Sequence, residues 1–182
     1  MQQPRNLRGG ALDNRAMRTA YYVHVRSVLE YGSVVWDGAA VTHMKQLERV
    51  QHTFLIWLAS RSNHPTNNLD YEHLSHFQIP SIRSRFHQHD LLFQFKIFHG
   101  QIDCPKLVNL FPLSAPSRRT RNTHFWHIPF SCVNTVKTSM FTRIPTICNA
   151  LLTSNTAIDF FTSTLASFKM ASISFVHASG PY

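Results

Sequence analysis

Apolar positions recur at helical spacing along most of the chain. Pro4, Gly9 and Gly10 break any periodicity over residues 1–12. Beyond them Met17, Tyr21, Val25, Val28, Gly32 and Val35 follow in steps of four and three. That spacing predicts a helix opening at Asp13 or Asn14, either of which can cap it. Arg15, Arg18, Tyr22 and Arg26 form a second, basic and aromatic stripe beside the apolar one. Asp37 and Gly38 are expected to end this helix. A second helix is expected from Val41 to Arg61, with Met44, Leu47, Val50, Phe54, Trp57 and Leu58 on one face. Lys45, Arg49 and His52 would lie on the other. The short connection predicts antiparallel packing of the pair.

A polar loop is expected at Ser62–Asn68, and a short helical turn at Tyr71–Phe77. Pro80 and Ser81 open the next helix, where a missing N–H costs little. Its first turns carry Arg83, Arg85, His87 and His89. From Leu91 to Phe98 it is apolar almost all round, which marks it as the central core helix. Gly100 ends it. Asp103 is expected to cap a brief turn through Pro105 to Leu110. Phe111–Asn122 reads as an extended basic loop containing Arg118, Arg119 and Arg121. Phe125, Trp126, Ile128 and Phe130 can pack an extended segment on the bundle. Ile144, Ile147 and Leu151 mark a short helix whose start Pro145 limits. Ile158, Phe161, Leu165 and Phe168 mark a last helix, capped by Asn155 or Thr156.

The fold expected is all-α: a small bundle of about five helices with a basic, irregular linker before the C-terminal ones. Its divisions are a flexible segment at 1–12, a helical bundle at 13–111, the basic and aromatic linker at 112–138, C-terminal helices at 139–175 and a loose tail at 176–182.

Charge narrows the function. Lys and Arg number 18 against 9 acids, a net charge of +9. Most of the excess is Arg, which forks onto phosphate oxygens. Such a balance points to nucleic acid or another polyanion as partner. With 43% hydrophobic residues and 14 Phe, the chain has enough apolar material for a core. Cys104, Cys132 and Cys148 stand far apart, as expected in a reducing compartment. The first residues carry no apolar leader, and the longest wholly apolar run, Phe54–Ala59, is too short to span a bilayer. An intracellular location, nuclear or cytoplasmic, is therefore expected.

Catalytic and metal chemistry find little support. Two-metal nucleotidyl transfer needs convergent carboxylates, and no two acids are adjacent here. Among the 12 histidines, His73 and His76, like His124 and His127, stand three apart. Structural zinc sites draw on Cys and His in tight pairs, and each Cys is isolated. No metal ligand, nucleophilic Cys–His pair or glycine-rich phosphate loop is expected.

Several segments carry a resemblance. They are Ala20-Tyr21-Tyr22-Val23-His24-Val25-Arg26-Ser27-Val28-Leu29-Glu30-Tyr31-Gly32-Ser33-Val34-Val35-Trp36; then Leu47-Glu48-Arg49-Val50-Gln51; then Pro80-Ser81-Ile82 with Arg85, Asp90 and Phe95-Lys96-Ile97-Phe98-His99-Gly100. Arg118-Arg119-Thr120-Arg121 follows, then Phe141, Arg143, Pro145, Asn149 and Phe168-Lys169. In order and spacing they resemble the region after the palm in LINE-type, Jockey-like (non-LTR) retrotransposon reverse transcriptases. Cys148, where an aromatic residue is usual, and His24, where an apolar one is, depart from the pattern.

The resemblance implies a thumb-like and C-terminal region of an RNA-directed DNA polymerase. The catalytic aspartates and their Mg2+ would belong to the palm, ahead of Met1, so no cofactor and no activity are expected of this region alone. Its partners would be RNA or DNA, held without regard to sequence, and the parent's palm domain; neither a membrane nor a small-molecule substrate is expected. Arg15, Arg18, Arg26, Lys45 and Arg49 would meet phosphates, and Arg118, Arg119 and Arg121 would form a flexible clamp. Tyr22 and Trp126 are candidates for stacking. Arg83 and Arg85 are candidates too, though one can instead cap or pair inside the bundle. The alternative is a helical protein-interaction module, or a transposon relic with no independent activity.

Overall fold

Local chemistry and packing together set where the helices start, break and end. In the computed structural model, which describes residues 13–38, 41–61, 77–114, 124–154 and 158–178, the first segment begins as α1, Asn14–Ala20. Asp13 occupies the capping position, but its side chain makes no cap bond. The chain then widens into a π-helical turn, Tyr21–Arg26, where Ser27 N–H reaches back five residues to the Tyr22 carbonyl. It tightens again in α2, Ser27–Glu30. Gly32, at φ 64°, breaks the helix before α3, Ser33–Trp36.

The wide turn explains why the predicted apolar stripe holds only at its start. A π turn adds a residue per turn and so shifts the phase of every position after it. Met17 and Tyr21 are buried, and the next residue buried on this segment is Arg26, five further on. Val28 and Val35, expected inside, are 70% and 76% exposed.

Helix α4 runs over Val41–Arg61, as the sequence predicts. Its buried positions are Met44, Gln51, Leu55, Leu58 and Ala59. Val50 and Trp57, assigned to the core on hydrophobicity, face outward instead. The buried face is rotated because Gln51, a polar residue, has partners inside: its Oε1 accepts from Tyr21 Oη at 3.1 Å, and its Nε2 donates to the Pro80 carbonyl at 3.0 Å. Met17 packs with Leu55, Leu58 and Ala59, Tyr21 stacks on Phe54, and Leu29 packs beside Met44 and Leu47. Partners in reverse order make the pair antiparallel.

Helix α5, Ile82–Phe98, is the spine. Ser81 Oγ caps it by accepting from Ser84 N–H at 3.1 Å, and Glu48 Oε1 accepts from Arg83 N–H at 3.0 Å. Between them they satisfy N-terminal donors that a helix otherwise leaves orphaned. Gly100, at φ 65°, follows its C-terminal end. A four-residue helix, α6, covers Pro105–Val108 with Cys104, rather than Asp103, at its capping position.

The linker region packs more closely than expected. Leu113 pairs with Trp126 in an isolated antiparallel bridge, flanked by Ser114 N–H to the Phe125 carbonyl at 2.9 Å and His127 N–H to the Pro112 carbonyl at 3.0 Å. Phe125 and Trp126 pack inward, whereas Phe130 is 93% exposed. A short helix, α7, forms at Asn134–Lys137. Helix α8, Met140–Ser154, contains Pro145 instead of starting at it. The proline lacks the N–H that would reach Phe141, which removes one early bond without ending the helix. Helix α9 spans Leu165–Ala178. Ile158 and Phe161 precede it: Asp159 holds a turn by accepting from Phe161 N–H and Thr162 Oγ1, and Thr164 caps the helix through Ser167 N–H.

Helices α8 and α9 close on the second half of α5. Their shared core holds Leu91, Phe95, Trp126, Ile144, Leu151, Phe160 and Phe168. Phe160 sits at its centre, with ring centroids 5.3 Å from Trp126 and 5.5 Å from both Phe95 and Phe168. Edge-on contacts of this kind add to the area that aromatic rings bury. The architecture is all-α, with no strand among the described residues. None of the described helices is long and apolar enough to cross a membrane. The expected turn at Tyr71–Phe77 (apart from Phe77), the loop at Ser62–Asn68 and the capping residues Asn155 and Thr156 lie outside the described residues.

Candidate nucleic-acid interface

The candidate residues divide into an exposed set and an engaged set. Arg15 on α1 and Lys45 and Arg49 on α4 are exposed, and Arg18 is half-buried. None of these side chains has an ion-pair partner among the described residues. Arg118, Arg119 and Arg121 lie outside the described residues, but the chain on either side of them is pinned by the Leu113–Trp126 bridge.

Arg26, Arg85 and Tyr22 come together instead around Glu30. The wide turn swings Arg26 inward, where it is 5% exposed. Its Nε donates to Glu30 Oε1, and its guanidinium lies 5.1 Å from the Tyr22 ring centroid. Arg85 holds the same carboxylate with two donors, Nε to Oε1 and Nη2 to Oε2, each at 3.2 Å. Such forked pairing fixes geometry as well as charge. Burial alone would raise the pKa of Glu30; hydrogen bonds from Arg85 and Arg26 outweigh it and hold the carboxyl below its ordinary value. Tyr22, Arg26, Ser27, Glu30, Pro80 and Arg85 line an open cleft of about 460 Å³. Arg26 is therefore a framework cation, and a correction to its assignment as a phosphate contact.

His89 completes this cluster. Burial first, then Arg85, lowers its pKa and so favours the neutral ring, against the pull of Glu30. Its Nδ1 lies 2.9 Å from Ser33 Oγ and its Nε2 lies 3.3 Å from Arg85 Nη2. Arg85 can only donate, so Nε2 accepts and Nδ1–H donates to Ser33.

A second cluster joins α3, α5 and α8. Arg143 donates from Nε to Asp90 Oδ2 at 2.7 Å and from Nη2 to Asp90 Oδ1 at 3.2 Å. It also donates to the carbonyls of Thr138 and Val34, each at 2.9 Å. Asp37, 3.2 Å from Arg143 Nε, shares the same cation. Carboxylates distant in sequence thus converge, which the linear spacing of acids hid. Their side chains are only 3% and 0% exposed, and the guanidinium fills the space beside them. Burial pushes Asp90 up to about 6, against the hydrogen bonds from Arg143. It raises Asp37 in the same way. Burial, reinforced by Arg83 and Arg143, takes His87 down to about 4. Arg83 itself is half-buried and contributes its backbone N–H to Glu48.

Trp126 requires the plainest correction. It is 1% exposed, with its backbone N–H and carbonyl bound to the Asn149 amide at 2.8 and 2.9 Å. It packs the core and offers no face to a base. Cys148 is also buried, and burial lifts its thiol to about 12, far from a reactive thiolate. No group of three or more His, Cys, Asp or Glu side chains capable of holding a metal occurs among the described residues.

Sequence reasoning missed most of the polar framework, although it left open that Arg83 or Arg85 would cap or pair inside the bundle, as Arg85 does on Glu30. Glu30, Glu48, Gln51, Pro80, Arg85, Asp90, Arg143 and Asn149 each bond to a different element of the fold. The available signal was the scarcity of acids: in a basic chain, an isolated carboxylate beside a helix seam has a cation to meet. Comparison of this chain with protein-family models, with curated proteins and with solved structures finds no match.

Proposed function

We propose that this chain grips the sugar–phosphate backbone of RNA or DNA, without regard to sequence, as the non-catalytic thumb-like and C-terminal part of a retrotransposon RNA-directed DNA polymerase. The observation that carries the reading is the division among its cations. Arg26, Arg85 and Arg143 neutralise buried carboxylates. Arg15, Lys45 and Arg49 stand exposed with no ion-pair partner among the described residues, and Arg18 is half-buried. Exposed cations without internal partners are available to phosphate, and contacts of that kind position a nucleic acid without reading it. The net charge of +9 favours the same partner. The polymerase context comes from the resemblance. In it the palm domain holds the Mg2+ and the catalytic aspartates, this region holds primer and template, and the protein works in the nucleus or cytoplasm.

The test is fluorescence anisotropy with labelled RNA, DNA and hybrid oligonucleotides across a salt series. Binding should weaken steeply as salt rises, and K45E/R49E should weaken it further. No binding in dilute buffer would reject this reading.

One observation favours a second reading, a protein-interaction module. Val23, Val28, Tyr31 and Val35 are 58%, 70%, 84% and 76% exposed along one short stretch. Exposed apolar side chains gathered in this way mark contact surfaces. In the polymerase reading they face the palm domain; in the alternative they receive an unrelated protein, and the salt-dependent binding is absent.

A further inference from the structure

Helix α4 carries an outward ridge that sequence periodicity did not reveal. Lys45, Arg49, Thr53, Trp57 and Arg61 succeed one another every fourth residue, and every one of them is exposed. Positions four apart are neighbours on a helix surface, about 6 Å apart along the axis. Trp57 shows 46% of its surface, and the Arg61 guanidinium lies over its ring, 5.5 Å from the centroid. The ridge has no carboxylate. Glu48, the sole acid on α4, turns toward α5 and binds Arg83 N–H.

From this arrangement we infer that α4 is a platform for single-stranded nucleic acid, with Trp57 stacking on a base and Lys45, Arg49 and Arg61 following the backbone. The inference rests on the nucleic-acid reading above and specifies its ligand and its aromatic contact. An exposed aromatic with cations on either side of it along the ridge suits a single strand, because unpaired bases offer their faces while a duplex keeps them stacked inside. The Arg61 guanidinium lies over one face of the indole, where it adds its charge beside a stacked base. Charge complementarity selects the occupant: Lys45, Arg49 and Arg61 are exposed on a ridge without a carboxylate, and the exposed aliphatic side chains beside Trp57 are limited to Val50 and Ile56, where a protein-docking ridge would need a wider apolar surface.

Trp57 also provides the readout. Trp126 is 1% exposed and Trp36 packs against Phe86, so Trp57 is the indole placed to meet a ligand. The full chain is titrated with oligo(U) and with a duplex of equal length, following tryptophan emission and anisotropy. Oligo(U) should quench emission, and Trp57→Ala should abolish the quench and cost about ten-fold or more in single-strand affinity. Duplex affinity should change little. Trp57→Tyr should keep most of the single-strand binding, and unchanged circular dichroism melts would show that the fold is intact. Trp57→Ala binding oligo(U) as tightly as the parent would overturn the platform while leaving backbone binding standing. Absence of binding to either ligand would overturn both.

Discussion

Arg143 holds Asp90 with Nε and Nη2, at 2.7 and 3.2 Å, and Asp37 leans on the same Nε at 3.2 Å. No other cation among the described residues comes within ion-pair distance of either carboxylate. Removing the guanidinium leaves buried negative charge uncompensated, the situation in which breaking a buried pair is most damaging. Arg143→Met should lower stability by about 3–5 kcal/mol, read from urea denaturation. Arg143→Lys should recover little, since one ammonium cannot reach both Asp90 oxygens and the carbonyls of Thr138 and Val34. A loss below about 1 kcal/mol in the Met variant would show that this cluster does not hold α8 in place.

Gly38 and Gly100 make opposite predictions. A Cβ on Gly38 would sit 2.5 Å from the Thr138 carbonyl oxygen, beside the Arg143 guanidinium. A Cβ on Gly100 would meet nothing within 4 Å, and only its φ of 65° matters. Asn tolerates that backbone. Gly100→Asn should therefore be almost neutral, while Gly38→Asn should cost about 1–3 kcal/mol through forced backbone movement. Thermal melts of the two variants decide the matter; equal losses would remove the steric account.

Asp90 and His87 set opposing pH dependences. Asp90 binds its proton more tightly when folded, at about 6 against an ordinary 3.8, so its contribution to stability falls as pH rises from 3.8 to 6. His87 binds its proton less tightly when folded, at about 4 against 6.5, so its contribution rises over nearly the same interval. Asp37 adds to the falling limb and His89 to the rising one. The main limbs are each worth about 3 kcal/mol and nearly cancel. Glu30, held below its ordinary value, adds stability that is lost only as pH falls below 4.5. His87→Gln should therefore expose a decline in stability between 3.8 and 6 that the parent masks. Denaturation curves at several pH values would show it, and a variant profile parallel to the parent's would refute the cancellation.

These relationships also show which parts of the fold the sequence displays. Helices α4 and α5 are legible because punctuation and period agree: Pro80 and Ser81 open α5, and Gly100 follows its end. The first segment is not, because a π turn changes the phase inside an otherwise regular pattern. That single change buries Arg26 and exposes Val28. The face of α4 was misjudged for another reason, that hydrophobicity ranks Trp57 above Gln51. Inside the protein, the Gln51 amide finds Tyr21 and Pro80 while Trp57 is left outside. The cations of the candidate site look alike in sequence. What separates Arg85 from Arg49 is Glu30, a partner fifty-five residues away from Arg85.

Gln94 offers a stabilising substitution. It lies on α5 at 1% exposure, and neither its Nε2 nor its Oε1 has a hydrogen-bond partner among the described residues. A buried amide without partners costs about 1–3 kcal/mol, and leucine occupies a similar volume without that cost. Gln94→Leu should raise the urea midpoint by an amount equivalent to about 1–2 kcal/mol. A lower midpoint would mean that the amide has a partner, such as an ordered water.

The last prediction separates binding cations from framework cations by their response to salt. Deleting a cation that neutralises one phosphate flattens the slope of log affinity against log salt by about 0.7 for a single strand and about 0.9 for a duplex. Removing both Lys45 and Arg49 should therefore flatten the single-strand slope by about 1.4 while leaving the thermal melt unchanged. Arg85→Gln should do the reverse. Its guanidinium is committed to Glu30 and Gln88, so its removal destabilises the fold and leaves the slope of the surviving folded protein near the parent's. If Arg85→Gln flattened the slope and the Lys45–Arg49 pair did not, the nucleic acid would lie across the cleft at Glu30 rather than along α4.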